Sequence, residues 1–103
     1  MKQNEFRQRL IGSATLALEQ GVVPVYIAVG AAAAMYRYIK ENDKERNEAN
    51  ALQVLQEVSQ LQAGSQLADL ILDYYRDICC GATIAQLLAK ADKAKFASLS
   101  NII

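Results

Sequence analysis

The stretch from residue 8 to residue 40 constrains the fold of this chain more than any other part. Two helix-like segments meet there at a break that contains Gly21 and Pro24, and the second segment carries a run of small residues from Gly30 to Met35. A glycine followed by a proline three residues later commonly ends one helix and starts the next. The stretch has no nucleophile beside a base and no cluster of metal ligands. Its composition is typical of an element that packs against another surface.

Apolar residues recur at three- and four-residue spacing, which predicts five amphipathic helices over residues 4–20, 25–40, 44–62, 66–80 and 84–95. Alternation of period two persists nowhere, so we expect no sheet. The prediction is therefore an all-α fold in which residues 1–103 form one small domain, packed as a bundle or with orthogonal crossings. The residues predicted to face inward are Phe6, Leu10, Ile11, Ala14, Ala17, Leu18, Ile27, Ala28, Ala31, Ala32, Met35, Ile39, Leu52, Leu55, Val58, Leu61, Leu67, Leu70, Ile71, Tyr74, Tyr75, Ile78, Ile84, Leu87, Leu88 and Ala91.

Local signals mark the ends of the last two helices. Ser65 is a candidate N-cap for the fourth helix, and Gly81 is placed to end it. Thr83 and Gln86 have the spacing of a capping box, which predicts the start of a fifth helix. Beyond that helix, an apolar tail closes the sequence and is expected to dock or fray.

Composition limits the functions that this chain can have. The 52% hydrophobic content is ample for a packed core in 103 residues. Eleven basic and eleven acidic residues cancel, which argues against nucleic-acid binding because such binding concentrates positive charge on one face. The longest uncharged stretch, residues 21–36, is shorter than a usual membrane span of about 20 residues. The N-terminus is polar rather than signal-like, so the expected location is the cytoplasm.

The chain offers little chemistry of its own. It contains no histidine, which excludes Ser-His-Asp and Cys-His catalysis. Its five glycines are too scattered for a dinucleotide-binding loop. Asp69 and Asp73 lie one helical turn apart on a polar face and are expected to be solvated, while Tyr74 and Tyr75 are expected in the core. We therefore predict no catalytic, cofactor-binding or metal-binding residue in this chain.

Cys79 and Cys80 are adjacent. Neighbouring cysteines rarely pair with each other, because a disulfide requires a specific torsion and spacing. With no histidine to complete a zinc site, and with two thiols that fit a reducing compartment, we expect both to be small core residues at a helix end. Redox and metal roles are the alternatives.

Two blocks of the sequence carry a family resemblance. The first is RLIGSATLALEQGVVPVYIAVGAAAAMYRY, residues 9–38, and the second is LQEVSQLQAGSQLADLILDYYRDI, residues 55–78. Together they resemble the C-terminal helical domain of the mannitol-1-phosphate 5-dehydrogenase family, one of the long-chain polyol dehydrogenases. The similarity rests on the order of the blocks and on their glycine and proline breaks. The link between the blocks is shorter than in the family, and residues 79–103 have no counterpart there.

The resemblance implies a part of an enzyme rather than a whole one. Family members pair an N-terminal NAD-binding domain with this helical domain and interconvert mannitol 1-phosphate and fructose 6-phosphate. Their catalytic Lys-x4-Asn-x3-His pattern does not occur here, so none of their active-site residues is transferred. The expected partner is then the missing N-terminal nucleotide-binding domain, with Arg9 and the small-residue run of residues 30–35 near the substrate side. The alternative is a free-standing helical interaction module, with self-association through this small-residue helix or the apolar tail.

Overall fold

The computed structural model describes residues 2–20, 24–41, 43–62 and 64–90. Within them it contains five helices and no strand, which confirms the predicted all-α fold. The long helices are α1 (Gln3–Gln20), α2 (Pro24–Lys40), α3 (Lys44–Ser59) and α4 (Gly64–Cys79). A short helix, α5, covers residues 84–90. The predicted break at Gly21, the last residues of the fifth helix with Ala91, and the apolar tail lie outside the described residues.

Helix α2 is the central element of the fold. It packs most extensively against α4 and also contacts α1 and α3. Its inward side presents Ala28, Ala32, Met35 and Ile39, all of which are almost completely buried. The two alanines let the neighbouring helices approach closely. The larger side chains of Met35 and Ile39 fill the space that remains between the helices.

The predicted apolar stripes form most of the core. All residues predicted inward on α1 and α4 are buried or half-buried. Two predictions are wrong: Leu52 is 43% exposed and Ile84 is 42% exposed. Ala51 occupies the inward position on α3 instead of Leu52, because the buried face of that helix begins with a polar residue, Asn47, which an apolar pattern does not register. Ile84 is the first residue of α5 and lies on its outward side, whereas Leu87 is buried one turn later.

Tyr38, near the C-terminal end of α2, connects three helices. Its ring is stacked on Phe6 of α1, with ring centroids 4.3 Å apart and an angle of 6° between the planes. The side-chain amide of Asn47 on α3 donates a hydrogen bond to the Tyr38 carbonyl oxygen at 2.9 Å, and that of Asn50 donates to the Tyr38 hydroxyl at 2.9 Å. Both Tyr38 and Asn47 are buried. This cluster fixes α1 and α3 on one end of α2.

The sequence signals for helix ends hold at the end of α4 and the start of α5, but not at the start of α4. The capping box at α5 is confirmed, since the Thr83 backbone N–H donates to Gln86 Oε1 at 3.0 Å and the Gln86 N–H donates to Thr83 Oγ1 at 3.1 Å. Gly81 follows α4 with φ of 100°, as expected for a residue that ends a helix. The prediction of Ser65 as an N-cap is wrong, because α4 begins at Gly64 and Ser65 lies in its first turn.

Glycine is required at the start of α4. The N–H of Gly64 donates to the carbonyl of Leu61 at 2.8 Å, which closes the turn between α3 and α4. A Cβ atom at this position would overlap the backbone carbonyl oxygen of Val58. Because a backbone atom cannot move aside as a flexible side chain does, only glycine lets α4 start this close to the end of α3.

We expect Asn47→Ala to lower the free energy of unfolding by about 1–3 kcal/mol, because it removes a buried hydrogen bond and leaves a small void. Gln53→Ala is the control, since Gln53 is exposed on the same helix; its effect should stay within about 0.5 kcal/mol. Urea titration followed by circular dichroism measures both. Equal effects of the two substitutions would show that the Asn47–Tyr38 bond does not stabilise the fold.

A second prediction concerns Tyr75 on α4. Burial raises the pKa of its hydroxyl above the ordinary value of 10.0, and the neighbouring Cys79 thiol raises the pKa further. The folded protein therefore holds this proton more tightly than the unfolded chain does. The resulting stability is present in full below about pH 10 and is lost as the pH rises above it. Tyr75→Phe cannot ionise, so its unfolding free energy should fall less steeply than that of the wild type above pH 10. The difference in unfolding free energy between the two proteins at pH 7 is the reference. If the unfolding free energies of the two proteins stay parallel above pH 10, the prediction is contradicted.

Candidate functional site

An apolar concave surface of the described helices is a groove between α1 and α2. It has a volume of about 260 Å³. The residues that line it are Phe6, Arg9, Leu10 and Ser13 from α1 and Tyr26, Ile27, Gly30, Ala31 and Ala34 from α2. Neither α3 nor α4 contributes to this lining, so the groove opens away from the core that those helices complete. We call it the α1–α2 groove.

Small side chains form the α2 side of the groove. Gly30 is exposed, and a Cβ atom built on it would meet no atom within 4 Å. Ala31 and Ala34 are half-buried next to it. A glycine among alanines on a helix lets another backbone approach closely, but within the described residues nothing fills the space over Gly30. The space over Gly30 is instead open to a binding partner.

Apolar surface continues beyond the groove. Tyr26, at one end of the lining, is 39% exposed, and Leu16, one turn beyond Ser13 on α1, is 54% exposed. Four large hydrophobic residues of the described chain are this exposed, and two of them lie on α1 and α2. Large exposed apolar side chains next to an apolar groove are typical of interaction surfaces.

Arg9 is the charged residue of the lining. Its guanidinium donates to the Glu5 carboxylate at 3.1 Å, and the two side chains are 67% and 49% exposed. An ion pair this exposed contributes little to stability. It does place a positive group in the lining of the groove, paired with the negative group of Glu5. The structure places Arg9 and three residues of the small-residue run, Gly30, Ala31 and Ala34, in the lining of one groove.

The polar side chains in the lining of the groove are those of Arg9, Ser13 and Tyr26. Ser13 has no histidine available, since the chain contains none. Among the residues that the structure describes, no group of three or more Cys, Asp or Glu side chains is placed to hold a metal ion. Apolar walls of this kind suit the binding of an apolar segment.

The other residues considered from the sequence lie away from the groove. Asp69 and Asp73 are both exposed on the outer side of α4, as predicted. Tyr74 and Tyr75 are buried in the core, as predicted. These four residues therefore form no binding surface of their own.

The prediction for the two cysteines is wrong. Cys79 and Cys80 are free thiols, and both are exposed rather than packed in the core. Helix α4 ends at Cys79, and its buried stripe ends with Tyr75, while Ile78 is half-buried. The turn after α4 carries both thiols past the edge of the core, a consequence of helix length that the apolar pattern did not reveal.

None of the helices in the described part of the chain combines the length and the apolar character needed to cross a membrane.

Comparison with known proteins gives no relative for this chain: no family model, no curated protein and no solved structure matches it.

Proposed function

We propose that this chain is a helical interaction module whose α1–α2 groove binds a second copy of the same chain. The observation that supports this proposal is the groove itself, an apolar concavity that no described residue fills. The floor around Gly30, Ala31 and Ala34 is shallow enough to accept a helix or a large apolar side chain. Small residues at a helix surface allow such close packing.

Charge supports a second copy as the occupant. The chain has eleven basic and eleven acidic residues, so two copies meet without net repulsion. A two-fold interface places the same patch on both subunits, so it must be complementary to itself. The ion pair of Arg9, in the groove lining, with Glu5 supplies both signs, and two copies related by a two-fold axis could exchange these partners.

The expected result is reversible dimerisation that Gly30→Lys abolishes. A Cβ atom at this position meets no atom within 4 Å, and lysine favours helix over glycine by roughly 0.5–1 kcal/mol, so the fold should be retained. Its long charged side chain would occupy the groove and repel Arg9 across it. Sedimentation velocity over a concentration series measures the association.

The matched control is Ala49→Lys, which adds the same charge at an exposed position of α3 outside the groove. This variant should dimerise like the wild type. A wild-type chain that stays monomeric at all concentrations, or equal loss of association in the two variants, would refute the groove as the site of self-association.

A second candidate function follows from the family resemblance, that of the substrate-cleft portion of a mannitol-1-phosphate 5-dehydrogenase-like enzyme. One observation favours it: every residue that lines the groove, except Phe6, belongs to the first matching block, residues 9–38. In that case the groove would face a nucleotide-binding domain, which would supply NAD and the catalytic residues. Both candidates place another polypeptide on the same surface, in the cytoplasm.

An NAD-linked assay with mannitol 1-phosphate tests the second candidate. The chain alone should show no turnover, because it carries no catalytic residue of the family. Adding the N-terminal nucleotide-binding domain of a family member should restore activity, and Gly30→Lys should weaken that restoration while Ala49→Lys leaves it unchanged. Turnover by the chain alone, or no restoration by the added domain, would count against this candidate without affecting the test of dimerisation.

A further inference from the structure

The adjacent thiols at the end of α4 are not explained by packing. Free cysteines are among the most frequently buried residues in proteins, yet Cys79 and Cys80 are both exposed. They lie outside the α1–α2 groove and contribute nothing to its lining. Two neighbouring exposed thiols at this position are available for chemistry at sulfur.

The backbone that carries the two thiols is held in place. The Cys80 N–H donates to the carbonyl oxygens of Arg76 and Asp77, both at 3.1 Å, and the Gly81 N–H donates to that of Ile78 at 3.0 Å. Tyr75, one helical turn before Cys79, is buried in the core. Both thiols therefore project from a fixed turn rather than from a loose loop.

A disulfide between these neighbours is disfavoured. Consecutive Cα atoms lie about 3.8 Å apart across a trans peptide, whereas disulfides usually join Cα atoms about 4.4–6.8 Å apart. A bridging atom allows the two sulfurs to lie farther apart than a disulfide does. Two metal–sulfur bonds of about 2.3 Å each cover a longer distance than a single sulfur–sulfur bond of about 2.05 Å. The geometry therefore favours two thiols that share a ligand over two thiols that bond to each other.

The number of available side-chain ligands limits which metal or metalloid the two thiols can bind. Structural zinc requires four ligands, and no group of three or more candidate side chains occurs in the described residues. Soft centres that prefer sulfur can be satisfied by two thiolates. Beside Cys80 is a surface pocket of about 410 Å³, whose lining includes Gly81, Ala82 and Leu87. This pocket offers room for an organic group carried by such a centre.

We propose that Cys79 and Cys80 form a two-sulfur binding site for a soft, sulfur-seeking centre, of which a trivalent organoarsenic compound is the chemical type. With phenylarsine oxide, each thiol loses its proton, two arsenic–sulfur bonds form and the arsenic–oxygen bond breaks. The oxygen leaves with both protons as water. Arsenic stays trivalent, so the step requires neither an oxidant nor a reductant.

The test uses phenylarsine oxide as the probe and intact-mass spectrometry as the first measurement. The full chain, kept reduced with a phosphine, should gain one phenylarsenic unit per molecule and lose it again on treatment with 2,3-dimercaptopropanol. Cys79→Ser and Cys80→Ser should each weaken binding by roughly 100-fold or more, because the second sulfur acts at a high effective concentration only when both are present.

Circular dichroism of the two serine variants provides the folding control, since both positions are exposed and the fold should be unchanged. The proposal is overturned if either single variant binds phenylarsine oxide as tightly as the wild type, which would mean that the sulfurs act separately. It is also overturned if the folded wild type takes up no phenylarsenic unit. A further contradicting result would be a wild type that binds more than one phenylarsenic unit while each serine variant still binds one.

Discussion

The stacked pair of Phe6 and Tyr38 is the contact on which the arrangement of the helices depends. Aromatic pairs contribute about 0.5–1.5 kcal/mol beyond the area that they bury, and this one is reinforced by hydrogen bonds from Asn47 and Asn50 to the same tyrosine. Three helices are thereby fixed at one point. The pair also determines the distance between α1 and α2 at that end, because two rings with centroids 4.3 Å apart leave no freedom for the helices to move closer.

The groove is a consequence of this spacing. The rings hold α1 and α2 apart at one end, and along α2 the outward positions carry glycine and alanine, which are too small to fill the gap. The core itself is complete without the groove, since Met35 and Ile39 fill the inward side of α2, and within the described residues no buried side-chain polar atom lacks a hydrogen-bond partner. The fold therefore gains nothing from the open space over Gly30, which supports the proposal that this space binds a partner.

The α1–α2 groove and the thiol pair of Cys79 and Cys80 differ in chemistry and in position. The α1–α2 groove is apolar and suits another polypeptide, whereas the thiol pair at the end of α4 suits a small sulfur-seeking centre. The family resemblance bears on the first surface only, because the matched blocks end at Ile78 and leave both cysteines outside. A partner on the groove would leave Cys79 and Cys80 accessible, so the two proposals are independent of each other.

The sequence by itself determined the helical class, the approximate helix bounds, the capping box at Thr83 and the inward faces of α1, α2 and α4, because these depend on local propensity and on apolar period. Only the tertiary structure decided that Ala51 rather than Leu52 faces inward on α3, where the contact with Tyr38 uses a polar residue, Asn47. It also decided that Gly30 faces open space and that Cys79 and Cys80 lie beyond the core. The exposure of Gly30, Cys79 and Cys80 depends on how the helices are placed relative to one another and on how far each extends past its neighbours. The residue pattern within a single helix does not contain that information.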